Sequence, residues 1–264
     1  MIRTAIIGAG NMGRELAQFL SSHPSFSLIG LCDQVPGRAK EVIDTLETGK
    51  AVEMTLVQAV ESADLIVEAA SAEAVKALLN TPGLDTPGRR LLIMSTGGLL
   101  PSIKLVWAME HCEVLLPSGA IAGLDAIKAA AGTIDSLTLT TTKPPKGLDG
   151  APYLKKMGID VSSITEPMTV FEGGLADAVS GFPKNVNVAA TLAFASGFDG
   201  LRVCVVADPK AKANTHRIVC EGSFGRIITM TENRPSANAK TSALAIESAK
   251  ALLDGMGKKM RVGT

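Results

Sequence analysis

Three glycines near the start of the chain have the spacing of a dinucleotide-binding turn. An apolar run at Ile2–Ile7 leads into GAGNMG, which is followed by a helical pattern. In such a turn the first glycine permits a tight bend, the second admits a pyrophosphate, and the third lets the helix pack on the strand. The phosphates then meet the N–H groups and the positive dipole end of the helix. The predicted contacts are Gly8, Gly10, Asn11, Met12 and Gly13.

An acidic residue follows the second apolar strand pattern, at residues 28–32. Asp33 comes directly after this run, twenty residues past Gly13. A carboxylate at this position binds the hydroxyl groups of a ribose and repels the extra phosphate of NADP. We therefore expect NAD to be the preferred cofactor. Arg38 lies five residues further on and could turn toward that phosphate, so NADP stays possible.

One histidine of three is a candidate for proton transfer. His23 lies in a Ser-Ser-His-Pro turn, and His111 ends a predicted helix, where a cation favours the dipole. His216 lies in Asn-Thr-His-Arg, between two predicted strands of the second half of the chain. A lone histidine of this kind is more often structural than catalytic, so residue type alone leaves its role open.

The composition argues against a nucleic-acid or membrane partner. The 264 residues include 26 basic and 26 acidic ones, and neither sign forms a long run. No stretch reaches the roughly 18 apolar residues of a membrane span, and no basic region precedes a long apolar segment. The cysteines show no C-x-x-C spacing, so we expect reduced thiols and neither a metal site nor a disulfide. They are Cys32, Cys112, Cys204 and Cys220. We expect a soluble, cytoplasmic protein.

Strand and helix patterns alternate through the first part of the chain. The predicted strands are 2–7, 28–32, 64–70, 90–96 and 113–117, and the helical stretches between them are 38–48, 56–62, 72–80 and 100–111. This alternation predicts an α/β fold with a Rossmann doubly wound parallel sheet. Residues 1–119 are the predicted NAD-binding domain, completed by a C-terminal helix within 236–264. Ser236 is its predicted cap, and Gly255 and Gly257 mark its end.

Residues 120–235 have the pattern of a second, α+β lobe with a mixed sheet. A threonine-rich strand at 137–142 is followed by Pro144 and Pro145, which forbid a continuing central strand. Further strands are predicted at 169–172, 201–207, 218–221 and 225–232, and helices at 175–181 and 185–196. We expect this lobe to bind substrate, to carry catalysis and to mediate oligomer formation.

Several stretches together resemble the L-aspartate dehydrogenase family. They are the GAGNMG turn, PSGAIAGLD at 117–125, TKPPK at 142–146, FPKNVNVAA at 182–190, VADP at 206–209, NTH at 214–216 and KTS at 240–242. The resemblance runs over essentially the whole chain. It implies that His216 is the active-site residue and that Ala120 and Asn187, rather than Asn185, contact the cofactor. Without it, Ala120 reads as a close-packed turn and Asn187 as a helix cap.

The resemblance also implies a reaction. NAD or NADP takes a hydride from L-aspartate, and the iminoaspartate formed is hydrolysed to oxaloacetate and ammonia, reversibly, with a possible role in de novo NAD synthesis. A neutral histidine can take the protons that this chemistry releases. Cationic side chains are needed for two carboxylates. The candidates are Lys143, Lys146, Lys184, Arg217, Arg234 and Lys240.

Two other functions stay open. One is an imine or semialdehyde reductase of the dihydrodipicolinate reductase or homoserine dehydrogenase kind, since these share the two-lobed plan. The other is a nicotinamide-sensing regulatory module, which usually carries an output domain; the sequence shows no helix-turn-helix, basic stripe or tail. The expected partners are small molecules, with neither nucleic acid nor membrane. The resemblance to the L-aspartate dehydrogenase family implies a homodimer or a larger homo-oligomer.

Overall fold

A computed structural model describes residues 1–47, 49–183, 186–234, 242–260 and 262. The chain separates into two compact units. The first combines Met1–Pro117 with Ile246–Lys259, and the second is built mainly from Ser118–Ala245. Some residues singled out in the sequence lie outside the described ones, namely Lys184, Asn185, Ser236 and Lys240.

The first unit is built on a parallel sheet. Its strands in the described residues are β1 (Ile2–Ile7), β2 (Phe26–Cys32), β3 (Val52–Glu53), β4 (Leu65–Glu68), β5 (Arg90–Ile93) and β6 (Glu113–Leu115). They follow the order β3-β2-β1-β4-β5-β6, with every neighbouring pair parallel. This is the strand order of a Rossmann fold, and it reverses between β1 and β4. The predicted doubly wound sheet is confirmed.

Short helices connect these strands. They are α1 (Asn11–Ser22), α2 (Arg38–Ile43), α3 (Leu56–Ser62), α4 (Ala72–Leu79) and α5 (Ile103–Trp107), with a 3₁₀ segment at Thr96–Ser102. Helix α3 starts with a capping box between Thr55 and Gln58, and the Ser71 hydroxyl caps α4. These caps satisfy N–H groups that the first helical turn leaves without a backbone partner.

Several predicted bounds in the first unit are wrong. Strands β4 and β5 end at Glu68 and Ile93 rather than at 70 and 96, and three larger differences concern other elements. Helix α2 ends at Ile43 rather than at 48, and the two-residue β3 was not predicted because it has no apolar run. The helix expected at 100–111 is instead a 3₁₀ segment followed by the short α5. Pro101 lacks an N–H group, and the preceding glycines weaken an α-helix, which explains the tighter turns.

The second unit is built on a mixed sheet. Its strands in the described residues are β7 (Ile134–Lys143), β8 (Met168–Gly174), β9 (Arg202–Ala207), β10 (Asn214–Gly222) and β11 (Gly225–Asn233). Its helices are α6 (Leu124–Ala129), α7 (Pro152–Met157), α8 (Leu175–Gly181) and α9 (Asn187–Ser196), and α10 (Ala243–Met256) follows. The order is β11-β10-β7-β9-β8, with β7 and β9 parallel and the other pairs antiparallel. The predicted mixed-sheet lobe is confirmed.

One face of this second sheet is covered. Leu139 on β7 and Ile218 on β10 share a buried cluster with Ala178 of α8 and Leu192 of α9. Side chains alternate between the two faces of a strand, so every second residue of β7 and β10 belongs to this covered face.

The extent of β10 corrects the prediction for His216. This histidine lies inside the strand, paired with Thr141 of β7, rather than between two strands. The strand starts early because Asn214 and Thr215 already pair with β11.

None of the helices in the described part of the chain has the length and apolar character that crossing a bilayer requires.

Candidate active site

The glycine turn between β1 and α1 has little room for side chains. Gly8 has a φ of +101°, and a Cβ on it would lie 2.7 Å from the carbonyl oxygen of Ala69. A Cβ on Gly13 would overlap the Gly8 carbonyl. By contrast, a Cβ on Gly10 would have no atom of the described residues within 4 Å. The outer glycines are therefore required by packing, whereas the middle one borders open space.

Helix α1 presents its N-terminus at this turn. Gly10 is the N-cap and brings no side-chain acceptor to the first turn, which Asn11 and Met12 begin. No acidic residue lies in that turn. The positive end of the dipole of a 12-residue helix is thus unopposed by a carboxylate of its own first turn.

Asp33 is held rigidly beside the glycine turn. Its Oδ2 accepts a hydrogen bond from the backbone N–H of Ala9 at 2.8 Å, and its Oδ1 accepts one from the N–H of Val35 at 2.8 Å. The Arg38 guanidinium lies 3.5 Å from the same Oδ1. The carboxylate is therefore fixed at the end of β2, with a cation next to it.

These features fit a nicotinamide dinucleotide. The open side of Gly10 and the N-terminus of α1 suit a pyrophosphate, and the carboxylate of Asp33 suits ribose hydroxyl groups. All of these groups lie at the carboxyl edge of the parallel sheet, beside the point between β1 and β4 where the strand order reverses.

His216 lies in the second unit and is 6% exposed. Its Nδ1 and the Thr141 Oγ1 are hydrogen-bonded at 3.0 Å. Burial, with a smaller contribution from the positive charge of Lys143, lowers the pKa of His216 to about 4. The imidazole is consequently neutral at pH 7, as a proton acceptor must be.

Lys143 lies on the same face of the sheet as His216. It follows Thr141 by two residues on β7, so both side chains emerge on the covered face. Thr141, Lys143 and Val186 line one small cavity on that face. Burial lowers the pKa of Lys143 to about 8. The covered face, apolar along most of its length, thus ends in a hydroxyl, an imidazole and an ammonium group.

The other candidate cations are placed differently. Arg217 follows His216 directly in β10, so its side chain emerges on the opposite face. Lys146 and Arg234 are exposed. Lys184 and Lys240 lie outside the described residues. Among the candidates that the structure describes, Lys143 is the one that shares the face of His216.

Ala120 is anchored through its backbone. Its carbonyl oxygen accepts hydrogen bonds from the Thr231 hydroxyl at 2.8 Å and from the Asn233 amide at 2.9 Å. Asn233 is 3% exposed and accepts a further bond from the Ser242 hydroxyl at 2.7 Å. This buried network fixes the PSGAIAGLD stretch against β11.

Asn187 is the first residue of α9 and is exposed. Val186, directly before it, lines the cavity with Thr141 and Lys143. The start of α9 therefore borders the same polar end of the sheet as His216. Gly8, Gly10, Asn11, Met12, Gly13 and Asp33 belong to the first unit, and Ala120, Asn187 and His216 to the second.

Three residues of interest were not singled out from the sequence. Thr141 could have been found only by knowing that β7 pairs with β10. Asn233 ends a strand and gives no local signal. Glu68 did give a local signal. It is a carboxylate at the end of an otherwise apolar strand, in DLIVEAA, and burying a carboxylate costs so much free energy that such a position is unusual.

Comparisons with known proteins agree with this architecture. Residues 125–256 match the family model for the C-terminal part of aspartate dehydrogenase, and residues 2–99 match that for the N-terminus of dihydrodipicolinate reductase. The L-aspartate dehydrogenases of Methanosarcina acetivorans and Methanocella arvoryzae are 38% and 40% identical to the chain, over 100% of both partners. The crystal structure of aspartate dehydrogenase from Thermotoga maritima has a TM-score of 0.76 and 26% identity, covering 100% of both chains.

The fold and the glycine turn define a dehydrogenase of the nicotinamide-dinucleotide-binding Rossmann type. The match to dihydrodipicolinate reductase lies within the first unit, whereas the match to aspartate dehydrogenase covers most of the second unit and extends to the end of α10. The chain belongs to the L-aspartate dehydrogenase family. The family prediction is confirmed.

Proposed function

We propose that this chain oxidises L-aspartate with NAD, giving oxaloacetate and ammonia, and that it catalyses the reverse amination as well. The observation that carries the proposal is His216, a neutral, buried imidazole at the polar end of a sheet face. The relatives that match the whole chain, which are L-aspartate dehydrogenases, support the choice of substrate.

The first unit would hold the cofactor. Gly8, Gly10 and Gly13 with the start of α1 receive the pyrophosphate, and Asp33 accepts from the ribose hydroxyl groups. When bound, the nicotinamide accepts the hydride that leaves the α-carbon. In the second unit, Ala120 and Asn187 are proposed to contact the cofactor. The carbonyl of Ala120 is already held by Asn233, which keeps that backbone fixed.

His216 is the general acid and base in this proposal. Its Nδ1 is engaged by Thr141, so Nε2 exchanges protons with the substrate. Nε2 first takes a proton from the ammonium group, so that the α-carbon can release its hydride and a C=N bond forms. Nε2 passes this first proton to solvent and is free again when water adds to that carbon, so it can accept a proton from the water. It then returns this proton to the nitrogen, which leaves as ammonia while the remaining hydroxyl group loses its proton and becomes the carbonyl group of oxaloacetate.

Lys143 binds a substrate carboxylate. Its ammonium lies on the face of His216, and a carboxylate placed there forms a charge-assisted hydrogen bond. The negative charge also offsets the Coulombic effect of Lys143 on His216 and raises the pKa of the imidazole toward its ordinary value. Substrate binding thereby makes His216 a stronger base.

The test follows NADH absorbance with a panel of substrates. L-aspartate should reduce NAD, and oxaloacetate with ammonia should oxidise NADH. L-alanine and L-homoserine lack the second carboxylate, and L-glutamate misplaces it, so each should show a kcat/KM at least about tenfold lower. Turnover of homoserine or of a cyclic imine, with none of aspartate over a wide pH range, would overturn the substrate assignment.

We also propose that the chain is a cytoplasmic homodimer, formed through the uncovered face of the second sheet. Ile228 and Met230 on β11 are 50% and 57% exposed and share that face with Val219 of β10. A two-fold axis would lay this apolar row against its own copy. Sedimentation of the wild-type chain and of the Met230→Glu variant tests the dimer, which the charge should dissociate.

A further inference from the structure

The parallel sheet of the first unit contains a fully buried carboxylate. Glu68 is the last residue of β4 and is 0% exposed. It lies at the carboxyl edge of the sheet, directly next to the point between β1 and β4 where the strand order reverses. A buried carboxylate is costly, so an apolar residue would serve better if Glu68 only filled the core.

Both oxygens of Glu68 accept hydrogen bonds. The Oε1 accepts from the backbone N–H groups of Ala70 and Ser71 at 2.8 and 2.9 Å, and from the Ser95 hydroxyl at 2.9 Å. The Oε2 accepts from the backbone N–H of Ser95 at 2.9 Å. Burial raises the pKa of Glu68, and these four hydrogen bonds oppose the rise. One side chain therefore ties the connection after β4 to the connection after β5.

The two connections are also packed closely. A Cβ on Gly98, in the 3₁₀ segment after β5, would lie 2.7 Å from the Cα of Ala72 at the start of α4. A Cβ on Gly8 would lie 2.7 Å from the carbonyl oxygen of Ala69. The backbone after β4 is thus held against the glycine turn on one side and against the backbone after β5 on the other.

We propose that Glu68 is a positioning residue for the nicotinamide half of the dinucleotide, because it fixes the backbone surface after β4 and β5. A dinucleotide spans the two halves of a Rossmann sheet. Asp33 assigns the adenosine half to the side of β1 and β2, which leaves the side of β4 and β5 for the nicotinamide half. This inference rests on the proposed cofactor.

The test uses Glu68→Gln. The amide oxygen can keep the three bonds of Oε1, whereas the amide nitrogen would face the Ser95 N–H, so that two donors oppose each other. Glu61→Gln on the exposed surface of α3 is the matched control, since it removes the same charge without a buried contact. Dissociation constants are measured by calorimetry for NADH and for ADP-ribose, which lacks the nicotinamide.

Glu68→Gln should raise the Kd of NADH at least about fivefold and that of ADP-ribose less than about twofold. Glu61→Gln should change neither. Equal weakening of both ligands, or a lower melting temperature with unchanged Kd values, would overturn the positioning role. If the wild-type chain bound neither ligand, the cofactor assignment itself would fail, and the positioning role with it.

Ser95→Ala serves as a second, milder variant, because it removes only the hydroxyl bond to Oε1. It should weaken NADH binding about two- to fivefold and leave ADP-ribose binding unchanged. If Glu68→Gln did not fold, an unaltered NADH affinity in Ser95→Ala would overturn the proposal.

Discussion

The imidazole of His216 and the hydroxyl of Thr141 are hydrogen-bonded across two neighbouring strands, with 3.0 Å between Nδ1 and Oγ1. The two residues are directly paired in the register of β10 and β7. The backbone ladder therefore sets the distance, and the orientation of the ring does not depend on a loop. With Nδ1 engaged, the opposite nitrogen is the one that can meet a substrate.

Thr141→Val should lower kcat/KM for L-aspartate about five- to twentyfold, because valine keeps the shape of threonine and removes only the partner of Nδ1. The Kd of NADH should not change. Thr140→Val, on the same strand and the opposite face, is the control. Equal steady-state constants in both variants would show that Thr141 does not orient His216.

His216→Asn should lower kcat by roughly 10²- to 10⁴-fold, as expected for loss of a general base. NADH binding should survive, since the proposed phosphate and ribose contacts lie in the first unit. Calorimetric titration beside turnover separates the effects. Near-normal turnover with a reduced melting temperature would instead identify a structural histidine.

The stability of the chain should fall on acidification below about pH 6.5. The pKa of His216 is about 4 in the folded chain against 6.5 for the ordinary side chain, so between these values only the unfolded chain binds the proton. The free energy of unfolding therefore decreases as pH falls, by up to about 3 kcal/mol from this group. Urea unfolding between pH 4 and 7 measures it. In His216→Asn this part of the pH dependence should disappear. If the free energy of unfolding of the variant still fell with pH as steeply as that of the wild-type chain, the assignment of this effect to His216 would be wrong.

Lys143→Met should raise the KM for L-aspartate at least about tenfold, because a carboxylate would lose its cation. In the wild-type chain the KM should also rise above about pH 8, where Lys143 loses its proton. Lys143→Arg keeps the positive charge above pH 8, so the KM of this variant should stay constant up to a higher pH than that of the wild-type chain. A KM insensitive to both substitutions would exclude carboxylate binding by Lys143.

Asp33→Ser should raise the ratio of kcat/KM for NADP to that for NAD at least about tenfold. The substitution removes a negative charge from the ribose site. Arg38, whose guanidinium lies 3.5 Å from Asp33 in the wild-type chain, then becomes available to bind the extra phosphate of NADP. The Asp33→Ser, Arg38→Ala double variant should lose most of the gain. An unchanged ratio in the single variant would mean that Asp33 does not select the cofactor.

Local signals explain what the sequence predicted well. The first strand and helix Leu175–Gly181 were predicted with their observed bounds, because residue type and periodicity specify them within a few residues. The partner of His216 is 75 residues away in the chain. Strand pairing at that separation depends on the whole sheet, so neither Thr141 nor the face shared with Lys143 could be read from spacing.

Glu68 illustrates the other limit. Its position after an apolar run was visible in the sequence, yet three of its four donors are backbone N–H groups, which every residue carries. Only the fold shows which of them converge on one carboxylate. The same holds for Asn233, whose amide meets a backbone carbonyl 113 residues earlier in the chain.

Helix α10 completes the core of the first unit with residues from a distant part of the chain. Ala249 and Leu253 lie in the same buried cluster as Leu16 and Leu20 of α1. Lys250 reaches Glu15 at 3.3 Å across 235 residues of chain. During synthesis the apolar face of α1 therefore stays uncovered until α10 has been made. The first unit starts before the second one along the chain and is completed after it, so its core depends on contacts between distant segments, and a chain that lacked α10 would expose an apolar surface prone to aggregation.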